Sequence, residues 1–216
     1  MKQNSQQRAT ANKIQKWIQA TKEVEKTRFA IPITRLTIIK SLCTDEVAAE
    51  KFALYIAQRV QQQINQATCP EHFTSEEWAQ QQQLVDEAIT LMQSYLESPS
   101  YESRQSLRNL LRDIDGLQGD DYRNFRWATV RFVRSGDLLK LEYALRCFVE
   151  TDFSYWTYKL AREYVERYGL QSGSGIVAES VPILLEVAEF WCQYYFNESL
   201  SEKFPGEGDR CVRPNP

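Results

Sequence analysis

The sequence predicts an all-α protein: a single bundle of about eight or nine helices around one buried helix at 137–149. Three observations lead there. Apolar residues recur at the i, i+3, i+4 spacing of a helix face through most of the chain, and no useful length alternates as a half-buried strand would. The eight Gly and seven Pro fall mostly at segment ends, too few for a turn-rich β fold. Finally, the stretch from Asp137 to Val149 is apolar nearly all round. Leu138, Leu141, Ala144, Leu145 and Phe148 make one face, and Leu139, Tyr143 and Cys147 fill much of the rest. Such a helix is normally buried, and this one is too short to cross a bilayer.

The elements follow in order. Residues 1–9, rich in Gln, Asn and Lys, read as a disordered tail. A first helix over 10–28 carries Ile14, Trp17, Ile18 and Val24, and Pro32 ends it. Thr34 is placed to cap a short helix bearing Leu36, Ile39 and Leu42. Thr44 is the expected N-cap of a helix to residue 66, with Phe52, Ile56, Val60 and Ile64 inward. After the loop Cys69-Pro-Glu-His72, Ser75 starts a helix whose stripe runs from Trp78 through Val85, Ile89 and Met92 to Leu96. The Gln runs 61–63 and 80–83 are assigned to solvent.

Ser98-Pro-Ser100 separates that helix from one with Leu107, Leu110, Leu111 and Ile114 inward. A break is expected from Gly116 to Gly119, then a helix from Asp121 to Arg134 ended by Ser135-Gly136. The buried helix follows. Thr151 or Asp152 caps a helix to about Tyr168, and Ser172-Gly-Ser-Gly175 forms a connection. The last helix starts near Ser180, with Pro182 in its tolerant first turn. Residues 200–216 read as a flexible tail, which leaves 10–199 as the helical domain.

Composition bounds the function classes. With 216 residues, 43% hydrophobic and 25% charged, the chain is an ordinary globular one able to bury a substantial core. A net charge of −3 argues against general attraction to nucleic acid. Residues 1–28 carry seven positive and two negative side chains, a local +5 that leaves −8 for the rest. That segment reads as a solvated first helix, or as a basic arm for a membrane surface or acidic partner. Five widely spaced Cys, no apolar leader and no apolar run of transmembrane length point to a reducing cytoplasm.

The most informative stretch for binding runs from Asp121 to Arg134. At about 100° per residue, Tyr122, Phe125, Thr129 and Phe132 share one side. Arg123, Arg126, Arg131 and Arg134 take the other, with Trp127 and Val130 among them. Arg offers planar, multidentate hydrogen bonding to carboxylate or phosphate, and Trp offers contact area at low entropic cost. The preceding helix adds Arg104, Arg108 and Arg112 at i, i+4, i+8. The alternative is ordinary packing, with Trp127 against a neighbouring helix and the Arg paired to Asp and Glu. Aromatic side chains also crowd two helices: Phe153, Tyr155, Trp156, Tyr158, Tyr164 and Tyr168 on one, and Phe190, Trp191, Tyr194, Tyr195 and Phe196 on the other. Most belong to the core; a surplus remains for a pocket or interface.

Chemistry-bearing patterns are incomplete. His72 is the one His, so Cys69-x-x-His72 is at most half a metal site, and no metal or cofactor is expected. Any Ser/His/Asp or Cys/His catalytic set would need His72, and no catalytic residue is assigned. Gly173-Ser-Gly175 lacks the preceding strand and following Lys of a nucleotide loop.

Leu111-Arg-Asp-Ile-Asp115, Arg126-Trp-Ala-Thr129, Ser135-Gly-Asp137 and Leu141-Glu142 resemble, with one insertion, the middle helices of phycobiliproteins. The resemblance implies an antenna-related or anion-pigment-binding helical protein. The bilin-attaching Cys of that family would fall at Leu110, so covalent attachment is not implied.

The expectation is therefore a non-enzymatic adaptor that docks a protein partner on the Arg/Trp helix. An anionic small molecule or pigment in an aromatic-lined pocket is the alternative, an unrecognised enzyme a further one, and self-association stays open.

Overall fold

Capping chemistry sets where the helices begin. Asp45 holds extended backbone, and its carboxylate accepts from the Ala48 N–H at 2.6 Å, opening the helix that follows. Thr74 and Glu77 form a reciprocal capping box, each side chain accepting the other's backbone N–H. Ser100 and Ser103 make a similar exchange, at 3.0 and 3.1 Å. Asp152 accepts from the Tyr155 N–H at 3.2 Å, so of the two candidate caps there it is the one used.

The computed structural model describes residues 5–27, 36–69, 74–123, 136–166 and 180–204. Among them the protein is all-α, with nine helices and no strand. They are α1 Ser5–Thr27, α2 Ile38–Leu42, α3 Glu46–Gln66, α4 Ser75–Glu97, α5 Tyr101–Arg123, α6 Gly136–Val149, α7 Phe153–Glu166, α8 Val181–Phe196 and α9 Leu200–Lys203. No described helix is long and apolar enough to cross a membrane.

The chain divides into two compact units, 43–163, and 1–42 with 164–216. In the first, α3 packs on α4 and α6, α4 on α5 and α6, and α5 on α6. Phe52, Ile56, Val60, Val85, Met92, Leu107, Ile114, Leu141, Leu145 and Phe148 are buried there. The Phe148 ring meets Tyr95 edge-on at 5.7 Å. Not all of its interior is apolar, since Glu50, Gln81, Lys140, Glu142 and Thr157 are buried with it. In the second unit, α1 packs on α2 and α8, and α8 on α9. Ile14, Trp17, Ile18, Ile39, Leu42, Leu184, Val187 and Trp191 are buried. Lys13 Nζ donates to the Ser41 carbonyl at 3.2 Å, and the Tyr195 hydroxyl donates to the Leu42 carbonyl, tying α1 and α8 to the end of α2.

Several boundaries differ from the sequence reading. α1 opens at Ser5, before Thr10. Asp45 caps α3 in place of Thr44, because its carboxylate adds charge attraction to the helix N-terminus. α5 runs unbroken to Arg123 through Gly116 and Gly119: a helical Gly costs about 1 kcal/mol, too little to stop a helix that packs elsewhere along its length. Gln81 is buried, unlike the solvent-facing position that its Gln run suggests. α9 forms inside the stretch read as a tail, with its own Ser199–Glu202 capping box. The Thr34 cap, the loop around His72, residues 124–135 and the Ser172–Gly175 connection lie outside the described residues.

Candidate functional site

α5 carries four of the predicted binding residues, Arg104, Arg108, Arg112 and, at its end, Arg123, and helix geometry separates the first three. Leu107, Leu110, Leu111 and Ile114 are buried and fix the inward face. An i, i+4 step advances about 40° around the helix axis, so an Arg at every fourth position spirals away from that face. Arg104 and Arg108 are half-buried, and Arg112 is exposed.

Arg104, at the rim, is held. Its Nη2 donates to Glu46 Oε1 at 2.7 Å, its Nε donates to the Tyr95 hydroxyl at 3.0 Å, and Nη2 also reaches that hydroxyl. Its guanidinium carbon lies 5.2 Å from the centre of the Tyr95 ring. Burial works against its charge, but the Tyr95 hydrogen bond and Glu46 outweigh burial and hold its pKa above the ordinary Arg value. Arg108 and Arg112 make no ion pair with a described residue. The side chain of Arg123, at the end of α5, and Arg126, Trp127, Arg131 and Arg134 lie outside the described side chains.

A second guanidinium, not anticipated from the sequence, organises α6. Arg146 Nε donates to Glu142 at 2.7 Å, Nη1 to Glu150 at 3.3 Å, and Nη2 to both Asp115 oxygens at 3.1 Å. Its guanidinium carbon stands 4.7 Å from the Trp156 ring centre. Here too burial opposes the charge, and Glu142, then Asp115 and Glu150, more than restore it. Trp156 in turn contacts Tyr143 at 5.6 Å and Tyr155 at 5.1 Å. Burial, reinforced by Glu142, pushes the Tyr143 phenol up to about 12. The i, i+4 spacing Glu142–Arg146–Glu150 was visible in the sequence; the partner Asp115, thirty-one positions earlier, was not.

None of the described Cys forms a disulfide, and the surroundings of the buried Cys43 and Cys147 disfavour nucleophilic work. Cys43 Sγ and Cys147 Sγ lie 3.4 and 3.8 Å from the same Thr157 hydroxyl. Burial pushes Cys43 up to about 11 and Cys147 higher still, so neither is a thiolate at neutral pH. Exposed Cys69 donates to the Thr74 carbonyl at 3.8 Å. Among the described residues, no group of three His, Cys, Asp or Glu is placed to hold a metal ion. The chain matches no known family model, no curated protein and no solved structure.

Proposed function

We propose that the chain is a non-enzymatic helical adaptor of the cytoplasm. It docks a protein partner through Arg123, Arg126, Trp127, Arg131 and Arg134, with Arg108 and Arg112 of α5 contributing. One observation carries this reading: α5 presents Arg108 and Arg112 without an ion pair to any described residue, whereas Arg104 and Arg146 are clasped by carboxylates. Guanidinium groups that no described carboxylate holds favour a partner that offers carboxylates in bidentate geometry. The absence of a disulfide among the four described Cys fits a reducing compartment.

The test is gentle affinity purification from the source cells with mass spectrometry, using wild type, Arg108→Glu/Arg112→Glu and Arg126→Glu/Trp127→Ala. A stoichiometric protein partner in the wild type, lost from both double variants, supports the reading. Arg112→Glu alone, at an exposed position, should leave stability within about 0.5 kcal/mol of wild type. Retention of the partner by both variants overturns the reading, as does unfolding by Trp127→Ala alone, which would make that Trp a core residue.

A second reading, an anionic small molecule or pigment in an aromatic-lined site, draws on α7, where Phe153, Tyr155, Trp156 and Tyr158 stay only half-buried. An absorbance band beyond the Trp region in the purified protein would favour it.

A further inference from the structure

Among the described residues, Glu50 is the most enclosed carboxylate. It lies on α3 in register with Ala53 and Ala57, small buried residues that let neighbouring helices come close. Its side chain is 5% exposed, and its buried Oε1 has no hydrogen-bond partner. Arg104 Nη2 stands 3.7 Å from that oxygen, too far for a hydrogen bond, and binds Glu46 at 2.7 Å instead. Glu46 and Glu50 are one turn apart on the same face of α3, so a single guanidinium faces both.

The two carboxylates are not equivalent. Glu46 is 45% exposed and sits in the first turn of α3, where water and the helix N-terminus both favour its charge. Glu50 has neither advantage. A buried carboxylate with an unsatisfied oxygen is strongly disfavoured, and a neutral carboxyl is the economical state. The observed arrangement is therefore the one that suits a protonated Glu50.

We propose that Glu50 is a proton-operated latch between α3 and α5: protonated, it leaves Arg104 to Glu46 and Tyr95; ionised, it draws the Arg104 guanidinium inward across the remaining gap. The movement required is about 1 Å, the difference between the present separation and a charged hydrogen bond. The groups around Glu50 come from every packed element. Asp45 and Glu46 stand at the start of α3, Tyr95 comes from α4, Arg104 from α5, and Cys147, whose thiol feels the Glu50 charge, from α6. Lys140, also buried on α6, lies seven residues before Cys147, about 10 Å along the helix. Burial, then Glu46 and Asp45, raise the Glu50 pKa from 4.5 to about 7, against the opposing pull of Arg104 and Tyr95. The latch therefore operates near neutral pH and does not depend on the partner reading.

The sign follows from proton counting. Between about pH 4.5 and pH 7 the folded chain keeps a proton that the unfolded chain has released. That contribution to stability is complete below the unfolded value and disappears as pH rises through about 7. Urea unfolding of wild type and Glu50→Gln should show it. From about pH 5 to about pH 8.5 the folded-to-unfolded ratio of wild type should fall about 100-fold relative to the variant. In the wild-type protein, the Glu50 carboxyl carbon and the Arg104 guanidinium nitrogen should titrate together by NMR, with one midpoint near neutrality. This readout decides the matter even if Glu50→Gln does not fold. A Glu50 midpoint below about pH 5, in the ordinary carboxylate range, overturns the proposal. So does an Arg104 signal that is indifferent to Glu50 titration.

Discussion

Replacing Arg146 by Met keeps the length and apolar stem of the side chain and removes its charge. Three carboxylates then lose their common partner. Asp115 and Glu150 are 43% and 42% exposed, and water takes over their solvation, so each of those pairs is worth at most about 1 kcal/mol. The contact with Trp156 adds about 1 kcal/mol. Glu142 decides the outcome, because at 10% exposure it cannot hydrate once its 2.7 Å partner is gone. Orphaning a charge at that depth costs about 3 kcal/mol, and the terms do not add fully because all share one guanidinium. Arg146→Met should therefore lower the urea-unfolding free energy by about 3 kcal/mol at neutral pH, with an unchanged m-value. Adding Glu142→Gln should recover at least about 1 kcal/mol, since the second change removes the stranded charge. A loss below about 1 kcal/mol for Arg146→Met would mean that water already solvates Glu142. A double variant no more stable than the single one would refute the stranded-charge argument itself.

Two further predictions test the core and the thiols. Phe148→Ala removes a fully buried ring that meets Tyr95 edge-on, and should cost about 3–5 kcal/mol by urea titration; a loss under about 1 kcal/mol would contradict its burial between α6 and α4. In a Cys211→Ser background, Cys69 should react with a thiol reagent at pH 8 at least about 100-fold faster than Cys43, Cys147 or Cys192, whose thiols are buried and raised. Comparable rates in the folded protein would show that those three are open to solvent.

Much of the fold was legible because it rests on period. Phe52, Ile56, Val60 and Ile64 along α3, and Trp78, Val85, Ile89 and Met92 along α4, are buried as a face at i, i+3, i+4 requires. Where two neighbouring residues are both good caps, period gives no help, and Asp45 prevails over Thr44 through a hydrogen bond that only the backbone geometry discloses. Gly116 and Gly119 misled because glycine biases a helix end without imposing one. Buried polar residues were the least legible. Glu50 keeps the same rhythm as Ala53 and Ala57, and that alignment was the available sign that its carboxyl would be enclosed. Lys140 and Glu142 sit on a helix read as apolar nearly all round, and their burial follows from tertiary packing with no local signal.

The arginines of α5 show why a sequence row is not yet a surface. Read at i, i+4, i+8, Arg104, Arg108 and Arg112 look like one ridge. Each step in fact turns about 40°, so the first and last differ by about 80°. Arg104 meets the acidic start of α3, and Arg112 faces solvent. Their substitution should therefore separate two properties. Arg104→Glu sets a carboxylate beside Glu46 and removes the one guanidinium that faces Glu50, and should lower stability. Arg112→Glu touches no described carboxylate, so under the docking proposal its effect should fall on association alone. A partner lost equally from both variants, with stability intact in both, would show that Arg104 leaves Glu46 to face outward, and would return all three arginines to a single surface.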